Sequence, residues 1–94
     1  MKYRVDDITI NTFIGSGSVV SGDIKVNGFV RVDGDIDGNF ETNGSVIIGE
    51  KARIHGNVTA KVAIIGGLVI GNVSASESVK LLSTSAVIGD VVTR

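Results

Sequence analysis

The chain has 94 residues and is 43% apolar but only 4% aromatic, so it makes one domain whose core must be narrow and built from small and β-branched side chains. Nine basic and ten acidic residues, a formal charge of −1, leave no electrostatic footprint for nucleic acid, and the absence of cysteine removes disulfides, thiolate zinc sites and cysteine nucleophiles together. With 13 glycines and no proline, tight bends must come from glycine and from Asn or Asp. The first residues, Met1 to Asp7, are charged and carry no apolar signal region, and no run approaches the length of a membrane span; the expectation is a cytoplasmic protein. Residues 1–11 read as a short N-terminal segment and 12–94 as the core domain.

From Ile8 to Gly66 the even positions are apolar or glycine, except Thr12, Ser16, Ser18, Thr42 and Glu50. Among the odd positions only Phe13, Val19, Phe29, Ile47, Ala63 and Ile65 are apolar. Period-two alternation means strand with one buried face. A meander would reset its phase at each turn, whereas this chain bends without losing register, as in a coil of strands around one core. The phase is expected to slip once, at Gly66-Gly67, after which Val69, Val73, Val79, Leu81, Val87 and Val91 point inward.

Within the alternation an apolar-x-Gly-[Asp/Asn]-apolar unit recurs, starting at Val20, Ile36, Ile54, Val69 and Val87, at intervals of 16, 18, 15 and 18. One stretch, Val32 to Phe40, mimics a calcium loop through Asp33, Asp35, Asp37 and Gly38. Its twelfth position is Gly44 where a bidentate Glu is required, and its flanks alternate as strands, not helices. Asp35 and Asn39 occupy the repeat position of Asp23, Asn57, Asn72 and Asp90, so the motif is two overlapping copies of a structural unit. The glycine lets the backbone turn or approach the axis, and the following Asp or Asn can hydrogen-bond local backbone at a corner.

A period near 17 residues with every element a strand predicts an all-β fold, a single-stranded parallel β-helix or solenoid of five to six turns stacked about 4.8 Å apart. An open terminal turn presents apolar core and unpaired backbone groups. The repeats run almost to both ends with no capping helix, which makes Ile8, Ile10 and Phe13 at one end, and Leu81, Leu82, Val87, Ile88 and Val91 at the other, candidates for a polymer interface between copies.

The stretches Thr12 to Ile24 (TFIGSGSVVSGDI), Gly28 to Phe40 (GFVRVDGDIDGNF) and Val46 to Val58 (VIIGEKARIHGNV), with the later GNV and GDV copies, resemble the bactofilin family of bacterial polymer-forming cytoskeletal proteins. The resemblance spans Thr12 to Val92. It implies a right-handed coil, a hand that periodicity does not fix. It also implies end-to-end assembly into non-polar filaments without nucleotide, in support of cell shape or of the placement of cell-envelope enzymes. On that reading the partners are the chain itself, possible cell-wall enzymes, and the inner membrane only indirectly, at its cytoplasmic face. The charged Met1 to Asp7 segment departs from members with a membrane-targeting N-terminus.

No cofactor, metal, nucleic acid or small-molecule substrate is implied. The competing class is a hexapeptide-type acyltransferase or a small-ligand binder. Ile48-Gly49 and Ile54 fit one hexad, but intervals of 16, 18, 15 and 18 do not hold a strict multiple of six. His55, the one histidine, falls on the outward phase of a repeat, where a solvated strand residue is the simpler reading than a general base. Glu50 marks a corner, not a buried acid, and Ser16, Ser18, Ser21 and the Ser74, Ser76, Ser78 run have no histidine partner in sight. Asp33 to Asp37 stacked on Lys51 or Arg53 would give exposed ion pairs, worth little each. The expected protein is structural, not an enzyme.

Overall fold

The computed structural model of the chain describes residues 12–93, and these form a three-walled coil of parallel strands. The first wall stacks β1 (Thr12–Ile14), β4 (Val30–Val32), β7 (Ser45–Ile48) and the second halves of β9 (Val58–Ile65) and β11 (Val73–Leu81). The second wall stacks β2 (Val19–Ser21), β5 (Asp35–Asp37), β8 (Arg53–His55), β10 (Leu68–Ile70) and β12 (Ala86–Ile88). The third stacks β3 (Ile24–Val26), β6 (Phe40–Thr42), the first halves of β9 and β11, and β13 (Val91–Thr93). Each circuit of the three walls is one turn, and the described residues make five.

Sequence repeat and strand register coincide. On the second wall Val20, Ile36, Ile54, Val69 and Val87 lie one above another, spaced by the same 16, 18, 15 and 18 residues that separate the repeats. The strands of each turn send five side chains inward. In the third turn these are Val46, Ile48, Ile54, Val58 and Ala60, all buried, and Ala52 joins them from the corner. Burying a Val or Ile of this kind contributes about 1.5–3 kcal/mol before the entropic cost of ordering the chain. Phe40, 1% exposed, is the largest side chain in the core. Thr42 is the one buried polar residue among those described, and its hydroxyl donates to the Gly28 carbonyl at 2.6 Å while accepting the Gly44 N–H at 3.2 Å. Two hydrogen bonds offset the desolvation of one hydroxyl.

The corner between the second and third walls explains the glycine-Asx unit. Gly38, Gly56, Gly71 and Gly89 have φ between 143° and 152°, and a methyl on any of them would overlap the carbonyl oxygen of the glycine one turn earlier. The following residue does not bond local backbone as expected from sequence. It reaches across turns: Asp23, Asn39, Asn57 and Asn72 each accept, through Oδ1, the backbone N–H of the next rung at 3.0 Å. The ladder ties successive turns at a point where the strands are interrupted.

The phase slip lies earlier than Gly66-Gly67. Inward positions run even through Val58 and Ala60, then odd from Ala63 and Ile65. The cause is the corner between the third and first walls, which holds three residues between Thr42 and Val46 but two, Lys61 and Val62, between Ala60 and Ala63. Both of those N–H groups point at the Gly44 carbonyl, at 2.9 and 3.5 Å. Three residues return between Ala75 and Val79, where the pairing register shifts.

The corner between the first and second walls alternates in length. Four residues (15–18, 49–52 and 82–85) separate the strands in turns one, three and five, but only two (33–34 and 66–67) in turns two and four. Each long loop closes on itself, by Ser18 N–H to Gly15 O at 3.0 Å, Ala52 N–H to Gly49 O at 3.0 Å and Ser85 N–H to Leu82 O at 2.9 Å. The short corners tuck beneath the loops, since a methyl on Gly34 would lie 2.6 Å from both the Gly15 and Ser18 oxygens, and one on Gly67 would lie 2.6 Å from the Ala52 oxygen.

Candidate polymerisation surface

Among the described residues, the C-terminal turn of the coil leaves its core uncovered. In the last turn the second half of β11, β12 and β13 each pair only with the preceding turn among the described residues. Their inward side chains therefore crown the core without a layer above them. Leu81 is 50% exposed, Val91 39%, and Val87 is half-buried against the core beneath. The matching inward positions two turns earlier, Ile48, Ile54 and Val58, are fully buried. The contrast measures what an added turn would cover.

The other candidates take different places. Leu82 opens the loop 82–85 and is 42% exposed. Ile88 points outward from the second wall at 62% exposure, and Val92, which sequence reasoning left out, points outward from the third at 57%. Phe13, 61% exposed, stands on the outer face of the first wall, so it flanks the N-terminal turn and does not crown it. The inward residues of that turn are Thr12, half-buried, and Ile14, Val20, Ile24 and Val26, partly or wholly buried against the core. Ile8 and Ile10 lie outside the described residues. The structure thus gathers Leu81, Val87 and Val91 into one open face and distributes the rest around its rim and the coil's walls.

The apparent calcium ligands are spread by the fold. Asp33 lies at the short corner and accepts from the Arg31 guanidinium at 3.0 Å, Asp35 faces Arg53 at 3.9 Å, and Asp37 stands on the second wall in register with His55. Among the described residues no group of three His, Asp or Glu side chains is placed to hold a metal ion. These exposed pairs contribute at most about 1 kcal/mol each. His55 is exposed on the flat second wall between Asp37 and Ile70, and Glu50 is exposed in the loop 49–52, at the corner where sequence had put it. No helix among the described residues is long and apolar enough to cross a membrane.

A family model for bactofilins, described as polymer-forming cytoskeletal, matches residues 12–94. The chain belongs to the bactofilin family. Among curated relatives, bactofilin BacP of Myxococcus xanthus is 31% identical over 81 residues, which cover 86% of this chain and 34% of BacP. Bactofilin BacO of the same organism is 28% identical over 88 residues, 94% of this chain and 70% of BacO. The chain thus spans about a third of the length of one bactofilin relative and over two thirds of the other. The crystal structure of a mutant bactofilin from Thermus thermophilus superposes with a TM-score of 0.69 at 24% identity, covering 89% of this chain and 99% of that one. A cryo-EM reconstruction of Thermus thermophilus bactofilin double helical filaments gives 0.69 at 20% identity, with 88% and 99% covered. The bactofilin fold is therefore the fold of this chain, a parallel β-solenoid.

Proposed function

We propose that this chain is a non-catalytic cytoskeletal subunit that polymerises through its terminal turns. The observation that carries the reading is the open C-terminal face, where Leu81, Val87 and Val91 occupy inward positions that are buried in every central turn. Covering such a face with a second copy removes apolar area from water and pairs the free strand edges in one step. The filaments of the Thermus relative support the same assembly here. Cell-wall enzymes as clients, and work in the cytoplasm at the inner face of the membrane in support of cell shape, complete the proposal. The acyltransferase alternative is set aside, because the register intervals of 15 and 16 hold no hexad frame and His55 stands on an open wall.

The test is Val87→Arg. A guanidinium at the crown leaves the lower turns untouched but has no partner once a second copy covers it. The variant should keep its strand circular dichroism and lose long polymers in negative-stain electron microscopy. Filaments of unchanged length would remove Val87 from the junction, and unchanged length in Leu82→Arg as well would remove the C-terminal face.

A further inference from the structure

Two asparagines of the chain precede glycine, Asn27-Gly28 and Asn43-Gly44. Such a pair can react with itself. The glycine nitrogen, once deprotonated, attacks the asparagine Cγ, expels ammonia and closes a five-membered succinimide, which water opens to aspartate or isoaspartate. Glycine has no Cβ to hinder the ring closure. Asn39, Asn57 and Asn72 precede Phe40, Val58 and Val73 instead, whose side chains crowd the attack. The fold stacks both Asn-Gly pairs at the corner between the third and first walls, in turns one and two.

Geometry holds the reaction off at both. The nitrogen attacks along the direction in which its N–H points, so whatever accepts that N–H occupies the place the Cγ must take. Gly28 N–H donates to Asn43 Oδ1 at 2.9 Å, and Gly44 N–H donates to the Thr42 hydroxyl at 3.2 Å. Asn43 Nδ2 donates in turn to Asn27 Oδ1 at 3.2 Å, which aims the Asn43 amide at the first turn and away from its own glycine.

The two shields differ in how easily they move. Thr42 is buried and bonded a second time to the Gly28 carbonyl, so it shifts only with the core. Asn43 is exposed, and its side-chain bonds all run down to turn one. In turn three the shortened corner places Lys61 and Val62 above it, and the asparagine column stops there. Rotation of one exposed side chain therefore uncovers the Gly28 N–H.

We propose that Asn27 is a self-modification site, a deamidation centre gated by the Asn43 side chain. With the gate open, Gly28 N–H gives its proton to hydroxide and the nitrogen bonds to Asn27 Cγ. The bond from Cγ to Nδ2 breaks, ammonia leaves, and one water opens the imide. Opening at one carbonyl yields aspartate, which keeps an oxygen for Asn43 Nδ2 and adds a negative charge. Opening at the other yields isoaspartate, which lengthens the main chain by one carbon between Val26, packed on the core, and the fully buried Val30. The site lies in the first turn of the described coil and does not depend on how copies assemble.

The experiment is peptide mapping by mass spectrometry of the chain held in mildly alkaline buffer. It scores the amide-to-acid mass change at each asparagine, with electron-transfer fragmentation to tell isoaspartate from aspartate. Asn27 should convert ahead of Asn43, and far more slowly than in the same chain unfolded in urea. Asn43→Ala removes the gate and should hasten Asn27 by about tenfold, the factor that losing one hydrogen bond gives a local opening. Asn43→Asp keeps an oxygen on the Gly28 N–H, with the Asn27 amide turned over to donate, and should hold Asn27 near the parent rate. Gly17→Ala strains the same turn without touching Asn43, and should do much less than Asn43→Ala. Three results overturn the gate: Asn27 converting as fast in the folded parent as in urea, Asn43 converting first, or equal acceleration by Asn43→Ala and Gly17→Ala.

Discussion

Replacing Gly56 by alanine should be among the most damaging single-methyl additions available to this chain. Its φ of 150° is a conformation that L side chains rarely adopt, and the added Cβ would overlap the Gly38 carbonyl oxygen while lying 2.5 Å from its carbon and 3.1 Å from Asn39 N. That neighbour cannot yield cheaply, because Gly38 N–H is tied to His55 O at 2.9 Å, Asn39 N–H to Asp23 Oδ1 at 3.0 Å and Phe40 N–H to Asn57 O at 2.8 Å. Relief requires the turns to part, with a net loss of about 1 kcal/mol for each bond broken, on top of about 1–3 kcal/mol of backbone strain. The three bonds and the strain sum to about 4–6 kcal/mol, or a Tm drop on the order of 25 °C for a domain of this size. Gly17→Ala is the control: φ is 89° but nothing lies within 4 Å of its Cβ, so backbone strain acts alone, at about 1–2 kcal/mol. Thermal and denaturant unfolding, followed by circular dichroism in the Val87→Arg background so that polymer does not contribute, compares the two. Equal losses for Gly17→Ala and Gly56→Ala would refute the argument that the glycine column exists to let carbonyls approach.

Further outcomes follow from the core and the ends. Thr42→Val should cost about 1–3 kcal/mol, since it leaves the Gly44 N–H and the Gly28 carbonyl without their partner, although the shape is conserved; an unchanged denaturation midpoint would mean that water or a backbone shift replaces the hydroxyl. Phe40→Ala removes the largest core side chain and should cost about 3–5 kcal/mol. A loss below that of an exposed substitution such as Phe13→Ala would contradict the placement of the ring. Val87→Arg should shorten polymers without lowering the stability of the coil below the C-terminal turn, which hydrogen exchange of Ile54 and Val69 can check against the parent.

Much of the fold was legible because a solenoid writes each turn in the same code. The interval between glycine-Asx units is also the interval between stacked residues, so Val20, Ile36, Ile54, Val69 and Val87 could be aligned without coordinates. Alternation is less informative at corners, where both parities leave the wall. That is why the phase slip was assigned to the conspicuous Gly66-Gly67 pair, while the residues that cause it, Lys61 and Val62, look like ordinary strand. Ala63 and Ile65, apolar on the wrong parity, were its signature. The alternation of long and short corners was also written in the unequal intervals, but no composition rule distinguishes Gly15-Ser-Gly-Ser18 as a projecting loop from the same residues in a strand. The open face was half legible: position along the chain located Leu81, Val87 and Val91 near the end, whereas the outward direction of Phe13 and Ile88 depends on where the walls begin.

The account stands most directly on electron microscopy of the purified chain, negatively stained, with chelator present and no nucleotide. It predicts long filaments, because the crown of Leu81, Val87 and Val91 needs neither metal nor nucleotide to be covered by another copy. Discrete monomers or compact trimers under those conditions would contradict it, and would mean that the C-terminal face is closed by something other than polymerisation.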